Sequence, residues 1–418
     1  MKILILSDGF PPEQQGGAER VAALLALEYR QQGHKVSVVT TTRHRENEGV
    51  REWRGVKVYC LYVNYHERWR AYLSIYNPWV VRRVRQIMLN EQPEVVHAHN
   101  IHFYLSYHTL AIAKKMGYPV ILTLHDAMTV DYGKFIQGIP LNDLSDRPSV
   151  DYHVNPWRTF LTYRLRYFPL RNIIIRQYLQ HYKVACIAVS YELRRFLETN
   201  GVQCYGVVHN GVDIHELAVD TEDVSKFQTR FGLQGQKVIL FAGRGGFWKG
   251  GHLLLRALPA IVEALPECTL VALTQRNHFC DLLNQARSLN VAERLVWAGW
   301  LQGKELSAAY HTASCIVVPS LYLDPFPTVI LEAMAAKKAV IVSCFSGGKE
   351  AVVHGLTGYV VNPLNVSVLT QHIVELLVDD EKARKMGESG YQHLLDNFTI
   401  ERCAKTYLAV FEHFISRS

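Results

Sequence analysis

Arg244 and Lys249 stand five positions apart on a glycine-rich loop, residues 243–251. A guanidinium offers phosphate a planar fork, and a lysine ammonium is a mobile point charge. On a loop whose glycines allow close backbone approach, the two could hold a diphosphate and stabilise its charge as a leaving group. Alone they would pass for solvated loop cations, and no G-K-[ST] follows at the spacing of a Walker loop. Further along, Asp324-Pro325-Phe326-Pro327 forms a turn before an apolar helix, 328–336, and Glu332 follows Asp324 with seven residues between. A helix start carries unpaired N–H groups and the positive end of a dipole, so it receives an anion or a polar ligand. Two carboxylates also suggest glycosidase acid/base work, but this spacing fixes no carboxyl separation.

The first half has its own candidates. Gly16 and Gly17 open a helix directly behind a strand, where backbone could approach a phosphate or sugar. His125 and Asp126 close a strand, which places both at a ligand-binding edge. His97 and His99 close another. They lack a third ligand at metal-binding spacing, so a structural or acceptor-contacting role is expected.

These residues need a scaffold, and hydropathy supplies it. Strands are predicted at 2–6, 35–40, 56–63, 94–99, 119–124, 185–189 and 206–209, with helices at 18–32, 77–89, 105–116 and 191–200 between them. Short apolar runs alternating with helical spacing mark βαβ crossovers and parallel sheets. After a linker at 210–213 a second set begins: strands at 237–242, 269–273, 295–297, 315–318, 339–343 and 358–361, with helices between and after. Two successive doubly wound α/β domains facing one cleft are therefore expected. Between them the segment 127–183 breaks the alternation and has no strand signal. Residues 152–191 contain no Asp or Glu but carry Arg158, Arg164, Arg166, Arg171, Arg176 and Lys183 among aromatic residues. Such a stretch reads either as a solvated basic helix or as a surface facing anionic lipid.

The composition is that of a soluble globular protein: 418 residues, 49% hydrophobic, 20% charged. A formal charge of +7 suits an anionic substrate or membrane surface, and no Lys/Arg-rich run supports nucleic-acid binding. Eight scattered cysteines include no C-x-x-C, so buried thiols are expected rather than zinc or redox chemistry. The apolar start, 1–8, is too short for a signal peptide, and no run approaches the ~18 apolar residues of a membrane span. The expectation is a cytoplasmic chain, with peripheral attachment to the inner membrane face left open by the basic segment.

The motifs form an ordered set: Gly16-Gly17, His125-Asp126, Asn210-Gly-Val-Asp213, Gly243-Arg244 to Lys249-Gly250, Asp324-Pro-Phe-Pro to Glu332-Ala-Met, Gly347-Gly348-Lys-Glu350 and Gly355-Leu-Thr-Gly358. Together they resemble the retaining GT-B glycosyltransferases of the GT4 (group 1) family over essentially the whole chain. The resemblance implies an acceptor-binding domain, 1–209, with 127–183 as an insert. It implies a nucleotide-sugar domain, 210–399, and a C-terminal helix, 400–418, packing back on the first. It assigns the donor diphosphate to Arg244 and Lys249, and the ribose to Glu332. Donor sugar and phosphate fall to Asp324 and the amides of Phe326, Pro327 and Thr328, as far as these carry an N–H. His125 would contact the sugar near the reaction centre, Gly16 and Gly17 would lie by the phosphate, and the backbone at Leu301 would meet the base. Catalytic roles thus fall to His125, Arg244, Lys249 and Asp324. A glycan or lipid-linked acceptor is implied, with neither cofactor nor metal. The chain departs from the commonest pattern at Asp324, where Glu is usual, and at Pro327, which has no N–H to donate. The alternatives are a sugar-nucleotide 2-epimerase of the same fold and a non-catalytic membrane-surface protein derived from a transferase.

Overall fold

The computed structural model describes residues 1–13, 16–243 and 246–417. The chain divides into two compact units. One comprises Met1–Gln137, Tyr152–Gly211 and Ile400–Ser418, the other Gly138–Asp151 and Val212–Thr399.

The first unit is built on a sheet of β1 (Lys2–Leu6), β2 (Lys35–Thr42), β3 (Gly49–Trp53), β4 (Val56–Tyr62), β5 (Val95–Ala98), β6 (Val120–Leu124), β7 (Ala185–Ala188) and β8 (Gly206–Val207). The strand order is β3-β4-β2-β1-β5-β6-β7-β8. Every pairing is parallel except β3 with β4. The central strands are buried on both faces, which is why their sequences are continuous apolar runs such as Ile3-Leu4-Ile5-Leu6. The antiparallel β3 was not anticipated. Its sequence, Gly-Val-Arg-Glu-Trp, is largely exposed and carries no apolar alternation. Its turn, Arg54-Gly55, has φ of 48° and 80°, the positive values that a two-residue hairpin requires.

The helix Ile400–Ile415 belongs to this unit, although nearly two hundred residues separate it from Gly211 in sequence. It buries Tyr407 and Phe411 in one cluster with Ile3, Ile5 and Tyr29. Tyr407 also accepts a 2.9 Å hydrogen bond from Thr123 Oγ1 of β6. Burial of a side chain such as Phe411 contributes roughly 1.5–3 kcal/mol, so the helix is a structural component of the unit. Segment 127–183 forms no strand among its described residues. It supplies the helices Pro156–Tyr163 and Arg171–His181, the first capped by Asn155, whose side chain accepts from the N–H groups of Trp157 and Arg158.

In the second unit, β9 (Lys237–Ala242), β10 (Cys268–Leu273), β11 (Leu295–Trp297), β12 (Cys315–Val318), β13 (Ala339–Ser343) and β14 (Gly358–Val361) form a wholly parallel sheet ordered β11-β10-β9-β12-β13-β14. Strand order reverses between β9 and β12, the switch point of a doubly wound sheet, where loops leave in opposite directions and open a ligand-sized crevice. Residues 138–151, inside the expected insert, belong to this unit. Ile139 packs with Leu253, Leu321 and Phe345, and Asn362 Nδ2 donates to the carbonyls of Asp143 and Ser145 at 2.8 Å each.

Gly250 marks the tightest backbone approach at this switch point. Its φ is +78°, and a Cβ there would lie 1.8 Å from the Pro319 carbonyl oxygen. Gly250→Ala therefore combines left-handed strain with a collision that backbone must move to relieve. A loss of about 2 kcal/mol or more is expected, read as a fall in Tm; an unchanged Tm would contradict this packing.

Candidate active site

Two loops meet at the switch point of the second unit. The loop after β9 carries Lys249 at the end of a short 3-10 turn, Phe247–Lys249, between Gly246 and Gly250, both of positive φ. The loop after β12 carries Ser320, Tyr322 and Asp324. Leu321 N–H donates to the Trp248 carbonyl at 2.7 Å and so ties one loop to the other.

Lys249 Nζ lies 2.6 Å from Asp324 Oδ2, and the two side chains are only 17% and 9% exposed. Ser320 Oγ donates to the same carboxylate oxygen at 3.1 Å. The ammonium also sits 5.3 Å from the centre of the Tyr322 ring. Behind it, the Asp324 carbonyl accepts from Gly347 N–H at 2.8 Å and Ser346 Oγ at 3.1 Å, which anchors the turn to the segment after β13. Burial works against the ammonium charge, but Asp324 and Tyr322 outweigh it and hold the Lys249 pKa above the ordinary lysine value. Lys249 is thus a fixed, largely buried cation. A buried ion pair is a poor way to gain stability, because desolvation offsets most of the attraction. Its position at a switch point suits an anion-handling centre.

Glu332 lies on the helix Thr328–Ala335, is 5% exposed, and accepts a 2.6 Å hydrogen bond from Tyr310 OH. Tyr310 is fully buried on the helix Gly303–Thr312, so the carboxylate is held in one direction. Thr328 begins its helix partly exposed. Pro327 precedes it as the extended N-cap residue and packs on Gly348, where a Cβ would meet Pro327 Cδ at 3.0 Å. Phe326 turns its side chain into the interior, with its ring centre 5.7 Å from that of Phe398. Leu301 is partly exposed between β11 and the helix that follows. Arg244, expected beside Lys249, lies outside the described residues.

In the first unit, β1, β5 and β6 are adjacent, so their carboxyl ends carry Asp8, His99 and His125 along one edge. Asp8 accepts three backbone hydrogen bonds, from Phe103, Tyr104 and Leu105 at 2.6, 2.9 and 2.7 Å, and so shapes the loop after β5. His125 Nε2 meets His99 Nδ1 at 2.9 Å. Burial pulls the His125 pKa down to about 4 against the opposing pull of Asp126, so the ring is neutral near pH 7. His97 is a core histidine, 2.8 Å from Thr123 Oγ1. Gly16 is the N-cap of the helix Gly17–Gln31, and a Cβ at Gly17 would meet nothing within 4 Å. Gly16, Gly17 and His125 thus stand in the first unit, and the other described site residues in the second.

Sequence patterns did not single out Ser320, Tyr322 or Tyr310, whose partners are set by the fold; only the placement of Ser320 and Tyr322 just before Asp324 offered a signal. Among the described residues no group of three or more His, Cys, Asp or Glu side chains is arranged to hold a metal ion. Seven of the eight cysteines are buried, and Cys280 is exposed.

Two family profiles cover most of the chain: "Glycosyltransferase Family 4" over residues 15–216 and "Glycosyl transferases group 1" over residues 224–393. The chain is 25% identical to a glycogen synthase of Mycobacterium tuberculosis, over 98% of this chain and 94% of that protein. Sucrose-phosphate synthase from Thermosynechococcus elongatus superposes with a TM-score of 0.76 at 18% identity, with both chains fully covered. HepE of Anabaena, solved in complex with UDP and glucose, gives 0.73 at 19% identity over 99% of this chain and all of that one. The two largely parallel sheets, their strand order and these superpositions establish the GT-B fold, and with the two profiles they place this chain in the GT4 (group 1) family of glycosyltransferases.

Proposed function

We propose that the protein is a retaining glycosyltransferase that moves a sugar from a nucleotide-diphosphate donor to a glycan or lipid-linked acceptor. The observation that carries this reading is Lys249, a largely buried ammonium held by Asp324 at the switch point of the second unit. Breaking a sugar–phosphate bond leaves negative charge on the nucleoside diphosphate, and a preorganised cation stabilises that charge as it develops. Lys249 supplies the charge from the protein itself, with Arg244 as its expected companion, so the proposed reaction is metal-independent. Asp324 would hold a sugar hydroxyl while aligning the ammonium. Glu332, oriented by Tyr310, would accept from the ribose hydroxyls. The base would lie against the backbone near Leu301. The acceptor hydroxyl attacks from the leaving-group face and yields its proton to a donor phosphate oxygen, which retains configuration. The fold relative solved with UDP and glucose supports the donor class.

The same reading places the protein in the cytoplasm, at the inner face of a membrane. The supporting observation is the helix Pro156–Tyr163, which exposes Trp157 at 75% and Leu161 at 70% beside an exposed Arg158. An amphipathic body with aromatic and basic residues suits an anionic lipid interface. No described helix is long and apolar enough to cross a membrane.

The donor follows from incubating the protein with UDP-, GDP- and ADP-sugars and an acceptor extract. Release of one nucleoside diphosphate is expected, with an α-linked product from an α-linked donor by NMR. An isomerised sugar nucleotide without release would favour the epimerase, and binding without any conversion the non-catalytic protein. Tyr310→Phe removes one hydrogen bond to Glu332, worth about 1 kcal/mol, so the donor KM should rise about fivefold with kcat nearly unchanged; a normal KM would sever Glu332 from donor binding. Trp157→Ala with Leu161→Ala should reduce co-sedimentation with phosphatidylglycerol vesicles and leave it with neutral vesicles unchanged. Equal sedimentation of variant and native protein would sink the membrane-facing role.

A further inference from the structure

The His99–His125 pair joins the carboxyl ends of two neighbouring strands. The β5–β6 register aligns Ala98 with Leu122, which brings His99 and His125 to the same edge. Their rings lie nearly parallel, 20° apart with centres separated by 5.2 Å, and His99 Nδ1 meets His125 Nε2 at 2.9 Å. His99 is 1% exposed and His125 9%. The other nitrogen of each ring, His99 Nε2 and His125 Nδ1, is buried without a hydrogen-bond partner among the described residues. On the far side of His99, the ring of His97 lies 4.2 Å away centre to centre, and its Nε2 is directed to Thr123.

Two neutral imidazoles sharing one hydrogen bond have two arrangements. In one, His125 donates from Nε2, and His99 must carry its own proton on Nε2. That N–H is then sealed in the interior with nothing to accept it, and orphaned buried donors are rare because they are costly. In the other, His99 donates from Nδ1, and His125 carries its proton on Nδ1. The unmatched N–H then belongs to the less buried ring, at the strand end; this Nδ1 is covered too, so a ligand oxygen accepts from it where that cover opens at the edge. Burial disfavours charge on both rings, which keeps each with one proton near neutral pH.

We propose that His99 is a positioning residue that holds His125 in the Nδ1–H tautomer, so that His125 meets the donor sugar as a neutral hydrogen-bond donor. This rests on the transfer reading above together with the contact of His125 with the donor sugar that the family resemblance implies. No proton is exchanged in the step: the Nδ1–H bond is kept, and only its direction matters.

The proton can be located directly. Long-range 1H–15N correlation on 15N-histidine-labelled protein, without substrate, should show His125 protonated at Nδ1 and bare at Nε2. His99→Leu should shift that proton to Nε2 and lower kcat about tenfold, the size of one hydrogen bond, with nucleoside diphosphate affinity unchanged. His99→Asn, whose Nδ2–H stands where the His99 Nδ1–H was, should restore the tautomer and most of kcat. A native spectrum with the His125 proton on Nε2 would overturn the proposal, as would an unchanged tautomer in His99→Leu. If that variant fails to fold, the native spectrum alone decides. Absence of turnover with every sugar nucleotide, beside the expected spectrum, would overturn the transfer reading and the role at the sugar, but not the proton arrangement.

Discussion

The contact between Lys249 and Asp324 is the constraint to which the second unit is built. It joins residues 75 positions apart, on loops that leave β9 and β12 where strand order reverses. Everything near it serves its geometry. Gly250 allows the backbone to pass against Pro319, and the bond from Leu321 to Trp248 fixes the spacing of the loops. Ser346 and Gly347 pin the Asp324 carbonyl from a third strand end. Ile139 closes the base of this arrangement from a segment that the chain sends out of its first half. The pair gains little net stability against its desolvation. Under the proposed transfer, its value lies in a cation already largely withdrawn from water and aimed before a ligand arrives.

The first unit follows a different logic. Its sheet edge is organised by hydrogen bonds to loop backbone and between rings rather than by a lysine–carboxylate pair. Asp8 gathers three N–H groups of the loop after β5, while His99 and His125 are joined by one hydrogen bond along the next two strand ends. The C-terminal helix reinforces this edge from behind, through Tyr407 on Thr123 and Phe411 against Tyr29. A residue far along the chain thereby supports the strand that ends in His125. Such an edge suits recognition of hydroxyl-rich ligands, where direction of donors and acceptors matters more than net charge.

The parallel strands were legible because burial on both faces forces continuous apolar runs, and β1, β9, β12, β13 and β14 fall where hydropathy places them. The edge strand β3 was not legible, since an exposed strand has no apolar signature. Lys249, Asp324, Glu332 and His125 stood out by residue type and by position after a strand or turn. Their partners did not. Nothing in the spacing fixes the Lys249–Asp324 distance, and the roles of Tyr310 and His99 depend on helix packing and sheet register. Likewise the segment 127–183 showed its charge bias in sequence, but not that residues 138–151 would fold with the second unit.

Lys249 is the cation proposed to receive the donor diphosphate. The most direct measurement is calorimetric titration of the nucleoside diphosphate released in turnover into native protein and Lys249→Ala, with circular dichroism to verify the fold. One dehydrated, charge-assisted contact is worth about 1.5–3 kcal/mol, so affinity should fall roughly tenfold to a hundredfold in a variant that remains folded. Equal affinity in a folded Lys249→Ala protein would show that the diphosphate is held elsewhere, and the buried pair with Asp324 would then have no part in donor binding.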